Sequence, residues 1–387
     1  MKALIRILCC VALIAVFGCG GKSSPSLTNP TTNVAFLFAV GQGANSIQGF
    51  DIEASGNLLT SAVGSFATNP RPVAIALHPS TNFVYVANLT SNTVSGYRVD
   101  HTAGFLDPVG EALAPNPTGP SPVALGVDSS GRFLFVLNQG DASISVYSVD
   151  PARGILTQTG PAFSTHLTTT PQAMLVSPVA PFLYVLSTST GNPNVNIISV
   201  FSIASNGSLA AAPGAFTAPA SNSTIAGITT DPKGQFMYAA DSANNDVISL
   251  SIASSGALAE VAGSPFAAGT QPVAVAVNGT GTFVYVSNAG SNNVSAFKSA
   301  AGVLSEVSGS PFSTQGSGTV AVTQPGFLTV DATNTFLYVS NVATKAIAGF
   351  AINAADGSLV PITGSPFSSG TVVPLGMVST TSNVSTQ

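Results

Sequence analysis

Short runs of alternating apolar and small or polar residues recur along this chain, separated by turn residues. Residues 271–312 show the unit most plainly. Val273, Val275 and Val277 alternate with small residues, and Phe283 and Tyr285 alternate with Val284 and Val286. Val294 and Phe297 form a third run, and residues 303–307 begin a fourth. Period-two alternation rich in Val, Phe and Tyr, bounded by Gly, Asn and Ser, is the signature of strands. The unit therefore predicts a four-stranded antiparallel sheet.

Aligned on the aromatic residue of the second strand, the units fall at Phe38, Tyr85, Phe135, Tyr184, Tyr238, Tyr285 and Tyr338. The spacing runs from 47 (Tyr85 minus Phe38) to 54 (Tyr238 minus Tyr184). A period of this size with four strands per repeat predicts an all-β, seven-bladed β-propeller. The first unit opens on a second strand, FLFAV, and lacks a first one. After the seventh unit, residues 373–378 (VPLGMV) read as a first strand with no second behind it. The two fragments predict one shared blade, which closes the ring and ties both ends of the domain into one sheet. GSPF recurs at residues 263–266, 309–312 and 364–367. Its proline predicts an outermost strand, where no ladder donor is required.

Composition changes this picture little. Only 6% of residues are charged and 45% are hydrophobic, and the formal net charge is −5. Blades stacked around an axis can be apolar on both faces, which leaves a surface of Ser, Thr, Asn and Gly. No Lys/Arg cluster provides the basic patch that nucleic acid requires. After residue 17 no apolar run is long enough to span a bilayer.

The first residues read differently. Lys2 and Arg6 flank the start of an apolar stretch at residues 7–17, a secretory-signal pattern that ends in Val16-Phe17-Gly18-Cys19. This end resembles a bacterial lipobox, with Cys19 as the lipidation site; a plain signal peptide cleaved nearby is the alternative. The three cysteines all lie within residues 1–19, so the domain beyond them has no disulfide. The expected organisation is a signal segment at 1–19, a polar tether at 20–32, the propeller at 33–380 and a short tail at 381–387. The expected location is the cell envelope, with the membrane reached through Cys19 and with a monomeric domain.

The runs YVAN (85–88), FVLN (135–138) and YVSN (285–288 and 338–341) resemble the YVTN-type propeller repeat. The wider blade pattern is similar to the seven-bladed lactonase family, which includes bacterial 6-phosphogluconolactonases. That resemblance implies the propeller fold and the opening of a sugar lactone. The family often carries Pro-Arg-His in the loop entering blade 2 and Asn-Glu after the second strand. Here Arg71 is present, Pro72 stands in place of the histidine, and Leu89 follows Asn88 in place of the glutamate.

Loops joining successive blades, and those between second and third strands, are expected on one face around the axis. Arg71, His166, Asp141 and Asp241 fall in such loops and form the candidate acid/base set, with Asp246 close by. Arg71 is alternatively a surface charge. Asn88, Asn138, Asn288 and Asn341 directly follow second strands. They are candidates for a ring of amides holding a polar, sugar-like ligand, or else turn residues bonded to local backbone. His78, within a His-Pro turn on the opposite face, reads as structural, and His101 as a solvated turn residue on that face. No metal or cofactor is expected: residues 241–246 (DSANND) lack the spacing and terminal Glu of a calcium loop. GxSxG and HExxH motifs are absent. Two functions follow. One is an envelope-anchored binding or scaffold module for a small sugar-like ligand or a surface protein. The other is a lactone hydrolase.

Overall fold

The computed structural model describes residues 33–42, 44–110, 116–188, 195–218, 223–315, 324–370 and 372–382. The signal segment, Cys19 and the tether lie outside the described residues, as do most of the blade 4 insertion and the last five residues.

The described residues form seven antiparallel sheets. In blade 2 the chain runs outward through Pro72–Leu77, Phe83–Asn88, Thr93–Asp100 and Phe105–Pro108. Blade 1 is shared between the two ends of the domain. Its inner strand is Val373–Thr381, paired with Asn33–Gln42, and Ser46–Glu53 and Leu58–Ala67 lie outside them. Phe38 sits opposite Val378, and the pairing continues to Thr381. The closure is as apolar as any other blade contact: Leu37, Phe50 and Met377 of blade 1 pack with Phe336, Tyr338 and Ile347 of blade 7.

The second strand is buried along its whole length in blades 2, 3, 6 and 7. Its two faces meet the two neighbouring blades, which is why FVYVAN and its relatives carry large residues on one face and Val or Leu on the other. Each large aliphatic or aromatic side chain so covered contributes about 1.5–3 kcal/mol.

One contact recurs round the whole ring. A glycine in the turn between third and outer strands of each blade lies against a Phe of the second strand of the preceding blade, the residue that opens it in every blade but the first. The pairs are Gly56–Phe336, Gly104–Phe36, Gly154–Phe83, Gly207–Phe133, Gly256–Phe182, Gly302–Phe236 and Gly357–Phe283. Three tyrosines fasten the same turns: the hydroxyls of Tyr85, Tyr285 and Tyr338 donate to the carbonyls of Gly154, Gly357 and Gly56.

Two expectations need correction. In five blades the outer position is split into two short strands that pair with the same third strand. The proline of GSPF falls in that break, not within a strand. There the serine hydroxyl takes over the ladder: Ser264, Ser310 and Ser365 Oγ accept the N–H groups of Ser249, Ala296 and Gly349 at 2.9–3.0 Å. His101 is half-buried, not simply solvated. Its Nδ1 lies 2.8 Å from the carbonyl of Thr381, so the donating tautomer pins the closing strand. His78 is structural as expected. It is buried, with Nε2 2.8 Å from the Gly131 carbonyl of blade 3 and Nδ1 2.7 Å from Ser80 Oγ.

Candidate functional site

The inner strands pair on one side only. Their free edges surround an axial cavity of about 420 Å3. Every blade contributes to its wall, through Leu375, Val73, Val123, Gln172, Ile228, Val275 and Phe327 in ring order. Gln172 is its one side chain with hydrogen-bonding capacity, and no ionisable side chain lines it. Phe327 presents its ring openly, at 38% exposure. The pairing is irregular between Pro325 and Leu328, and Phe327 falls in that interval. Neither Gln172 nor Phe327 stood out in the sequence. The available signal was a large residue in place of the Val or Ala usual in this strand.

Beside the axis, the loops behave as the repeat predicts. The loop after the second strand is tied to the loop entering the same blade: Leu89 N–H donates to the Arg71 carbonyl, and Gln139 N–H to that of Ser121, both at 2.9 Å. Arg71, Ser121, Gln271 and Gln324 all adopt left-handed backbone, with φ of 46–59°. Their N–H groups donate to the side-chain oxygens of Asn45, Asn92, Asn245 and Asn292 in the preceding blades. The position of Arg71 is thus a repeated latch between blades, and its side chain is exposed.

His166 is exposed in the loop between blades 3 and 4, with φ 52° and its N–H 3.4 Å from Ser164 Oγ. Asp141 is exposed and accepts the Ser143 hydroxyl at 2.6 Å. Asp241 is 1% exposed and fully engaged by its own loops, accepting from Ser223 Oγ at 2.5 Å, Thr224 N–H at 2.8 Å and Asn244 Nδ2 at 2.8 Å. No hydrogen bond or ion pair joins Arg71, His166, Asp141 and Asp241 to one another, and none of them lines the axial cavity.

Asp246 lies opposite Asp241 in the antiparallel pair. Partial burial pushes its carboxyl up to about 6, and the carboxylates of Asp241 and Glu260 add to the effect. The asparagines Asn88, Asn138, Asn288 and Asn341 are fully buried. Their amides donate within their own hairpins, for example Asn88 to Ser95 at 3.0 Å and Asn288 to Ser295 at 2.9 Å. Asn341 instead reaches the carbonyl of Thr314 in the entering loop at 3.1 Å. Their Oδ1 atoms are buried without a protein partner. None of the four lines the cavity. Among the described residues, no cluster of three or more His, Cys, Asp or Glu is placed to hold a metal ion. No described helix is long and apolar enough to cross a membrane.

Seven antiparallel blades around an open axial cavity, closed by a strand from each end of the domain, define a seven-bladed propeller built as a single ring. The family model for Lactonase, 7-bladed beta-propeller, matches residues 19–125, 111–220 and 196–322, and the chain belongs to that family. No curated protein matches it. Among solved structures, a Lactobacillus plantarum protein is 17% identical, with a TM-score of 0.72, over 90% of this chain and 100% of its own. The Pseudomonas aeruginosa periplasmic gluconolactonase is 18% identical, with a TM-score of 0.72, over 90% of this chain and 99% of its own. A proposed 6-phosphogluconolactonase from Bacteroides fragilis is 20% identical, with a TM-score of 0.69, over 91% and 99%. At these identities the likeness is one of fold.

Proposed function

We propose that this propeller is a binding module of the lactonase family, exported and held at the cell envelope through Cys19. The observation that carries this reading is the wall of the axial cavity. It offers strand edges, aliphatic side chains, one open aromatic ring and one amide, and no group able to donate or remove a proton near neutral pH. Such a wall retains a small neutral ligand by shape and hydrogen bonds and leaves its bonds intact.

Lactone hydrolysis is the second reading. Family membership favours it, as does the gluconolactonase among the structures of like fold. It requires the exposed loops of Arg71 and His166 to close over a lactone, with Asp141 as the nearby carboxylate. The test is hydrolysis of a panel of sugar lactones by the full chain in detergent, with Arg71→Ala and His166→Ala alongside. The binding reading predicts that all three proteins match the spontaneous rate. Hydrolysis above that rate, abolished by either substitution, makes the protein a hydrolase and locates the site. Incorporation of labelled fatty acid into the wild type and not into Cys19→Ser tests the anchor.

A further inference from the structure

We propose that the cleft between blades 5 and 6, on the face opposite the Arg71 and His166 loops, binds a neutral saccharide. The cleft encloses about 510 Å3 between the turn at 231–236 of blade 5 and the turn at 280–282 of blade 6. That size lies within the range of small-molecule sites, about 300–1,000 Å3. Its meaning comes from comparison with the same position elsewhere in the ring.

Residues 128–133 of blade 3 (DSSGRF) and 231–236 of blade 5 (DPKGQF) occupy equivalent turns. In each, the aspartate Oδ1 accepts the N–H of the phenylalanine, at 2.7 Å for Phe133 and 2.8 Å for Phe236. In blade 3 the equivalent cleft is smaller, about 370 Å3, and its polar and aromatic groups are engaged by its own residues. The Arg132 guanidinium lies 5.1 Å from the Phe133 ring centroid and donates to the Ser205 carbonyl of blade 4 at 2.9 Å. The second oxygen of Asp128 is taken by the Ser130 hydroxyl. Phe133 is left 7% exposed.

Blade 5 reverses each of these features. Gln235 replaces Arg132, and its side-chain amide has no partner among the described residues. Phe236 is half-buried, with part of its ring open to the cleft. Lys233 replaces Ser130, so the hydroxyl that would occupy Asp231 Oδ2 is missing. Asp231 is only 4% exposed, yet it lines the cleft, and its unpaired Oδ2 faces Gly281 on the opposite wall. Blade 7 again satisfies the corresponding oxygen, since Asp331 Oδ2 accepts the N–H of Thr333 at 2.9 Å and also its hydroxyl.

The result is a partly open aromatic ring beside an acceptor carboxylate oxygen, a free amide and a free ammonium, with the hydroxyls of Thr280 and Thr282, bonded to each other, and of Ser299, bonded to the Tyr238 hydroxyl, at the edge. A pyranose has the complementary surface: apolar C–H groups on one face and hydroxyls, each donor and acceptor, around the edge. The ammonium of Lys233 and the carboxylate of Asp231 cancel in net charge, so the site selects a neutral sugar over an acidic or a basic one.

The experiment titrates the full chain in detergent with maltose, cellobiose and lactose, each followed by calorimetry. At least one is expected to bind with a Kd of roughly millimolar order. Gln235→Arg restores the blade 3 arrangement and is expected to weaken binding at least about tenfold. Lys233→Ala, at an exposed position, is expected to weaken it about three- to tenfold, as for loss of one ordinary hydrogen bond. Phe327→Ala, in the axial cavity, is expected to change nothing. The proposal is overturned if none of the three sugars binds, if Gln235→Arg or Lys233→Ala binds as the wild type does, or if Phe327→Ala removes the binding. These outcomes are independent of whether the opposite face hydrolyses a lactone.

Discussion

The contact that repeats in every blade offers the sharpest test of how the ring is held. Gly154 has φ +69° and sits on the Phe83 ring. A Cβ built there would lie 2.4 Å from Phe83 Cδ1 and 2.8 Å from Cγ. Two costs follow for Gly154→Ala. Left-handed backbone disfavours a residue with a Cβ by about 1–2 kcal/mol. The overlap must also be relieved by moving Phe83, which is 2% exposed and packed with Tyr147 and Leu134, or by parting blades 2 and 3. Overpacking of this kind costs about 1–3 kcal/mol. The carbonyl of Gly154 also accepts the Tyr85 hydroxyl at 2.9 Å, so a moved turn loses that bond as well. The expected loss is about 2–5 kcal/mol. Gly64 supplies the control: its φ is +77°, and nothing lies within 4 Å of its added Cβ. Gly64→Ala should cost only the backbone part, about 1–2 kcal/mol. Urea denaturation of both variants, followed by tyrosine fluorescence, measures the difference. Equal losses in the two would show that the glycine–phenylalanine contact does not hold the blades together, and the account of ring packing would fail.

Other outcomes follow from single groups. The Asp246 carboxyl is raised in the folded state to about 6, so the folded protein binds its proton more tightly than the unfolded chain does. Its contribution to stability is greatest at low pH and is lost as pH rises through the interval from about 4 to about 6. Asp246→Asn should therefore raise the melting temperature at pH 7.5 and change it little at pH 4; the reverse order would contradict the assigned burial and charge repulsion. Tyr338→Phe leaves the Gly56 carbonyl without the hydroxyl that now lies 2.7 Å away, in the turn joining blade 7 to blade 1. It should cost about 1–3 kcal/mol in urea denaturation. Tyr184→Phe should cost less, because the buried Tyr184 hydroxyl has no partner to lose.

How much of this was legible in the chain follows from where the information lies. Strand order, blade number and the shared closing blade are local or periodic. They depend on side chains alternating about a pleated backbone with a repeat of seven, and a sequence displays both directly. The latch at Arg71 was visible only as a candidate charge. That its backbone is a structural position became clear once Ser121, Gln271 and Gln324 were seen with the same φ and the same asparagine partner in the preceding blade. His101 read as a surface residue because its partner, Thr381, is 280 residues away. The fates of GSPF, Gln172 and Phe327 were likewise hidden, since a break in a strand or an irregular register changes what a side chain faces without changing its type. The contrast between the Arg132 and Gln235 clefts is written in two hexapeptides, DSSGRF and DPKGQF. Only the stacked blades give it meaning, because the carbonyl that holds the Arg132 cap comes from the next blade. The sequence by itself determined the ring, through short-range alternation and its repetition. The tertiary structure decided which polar groups the ring leaves free, because that depends on contacts between blades far apart in the chain.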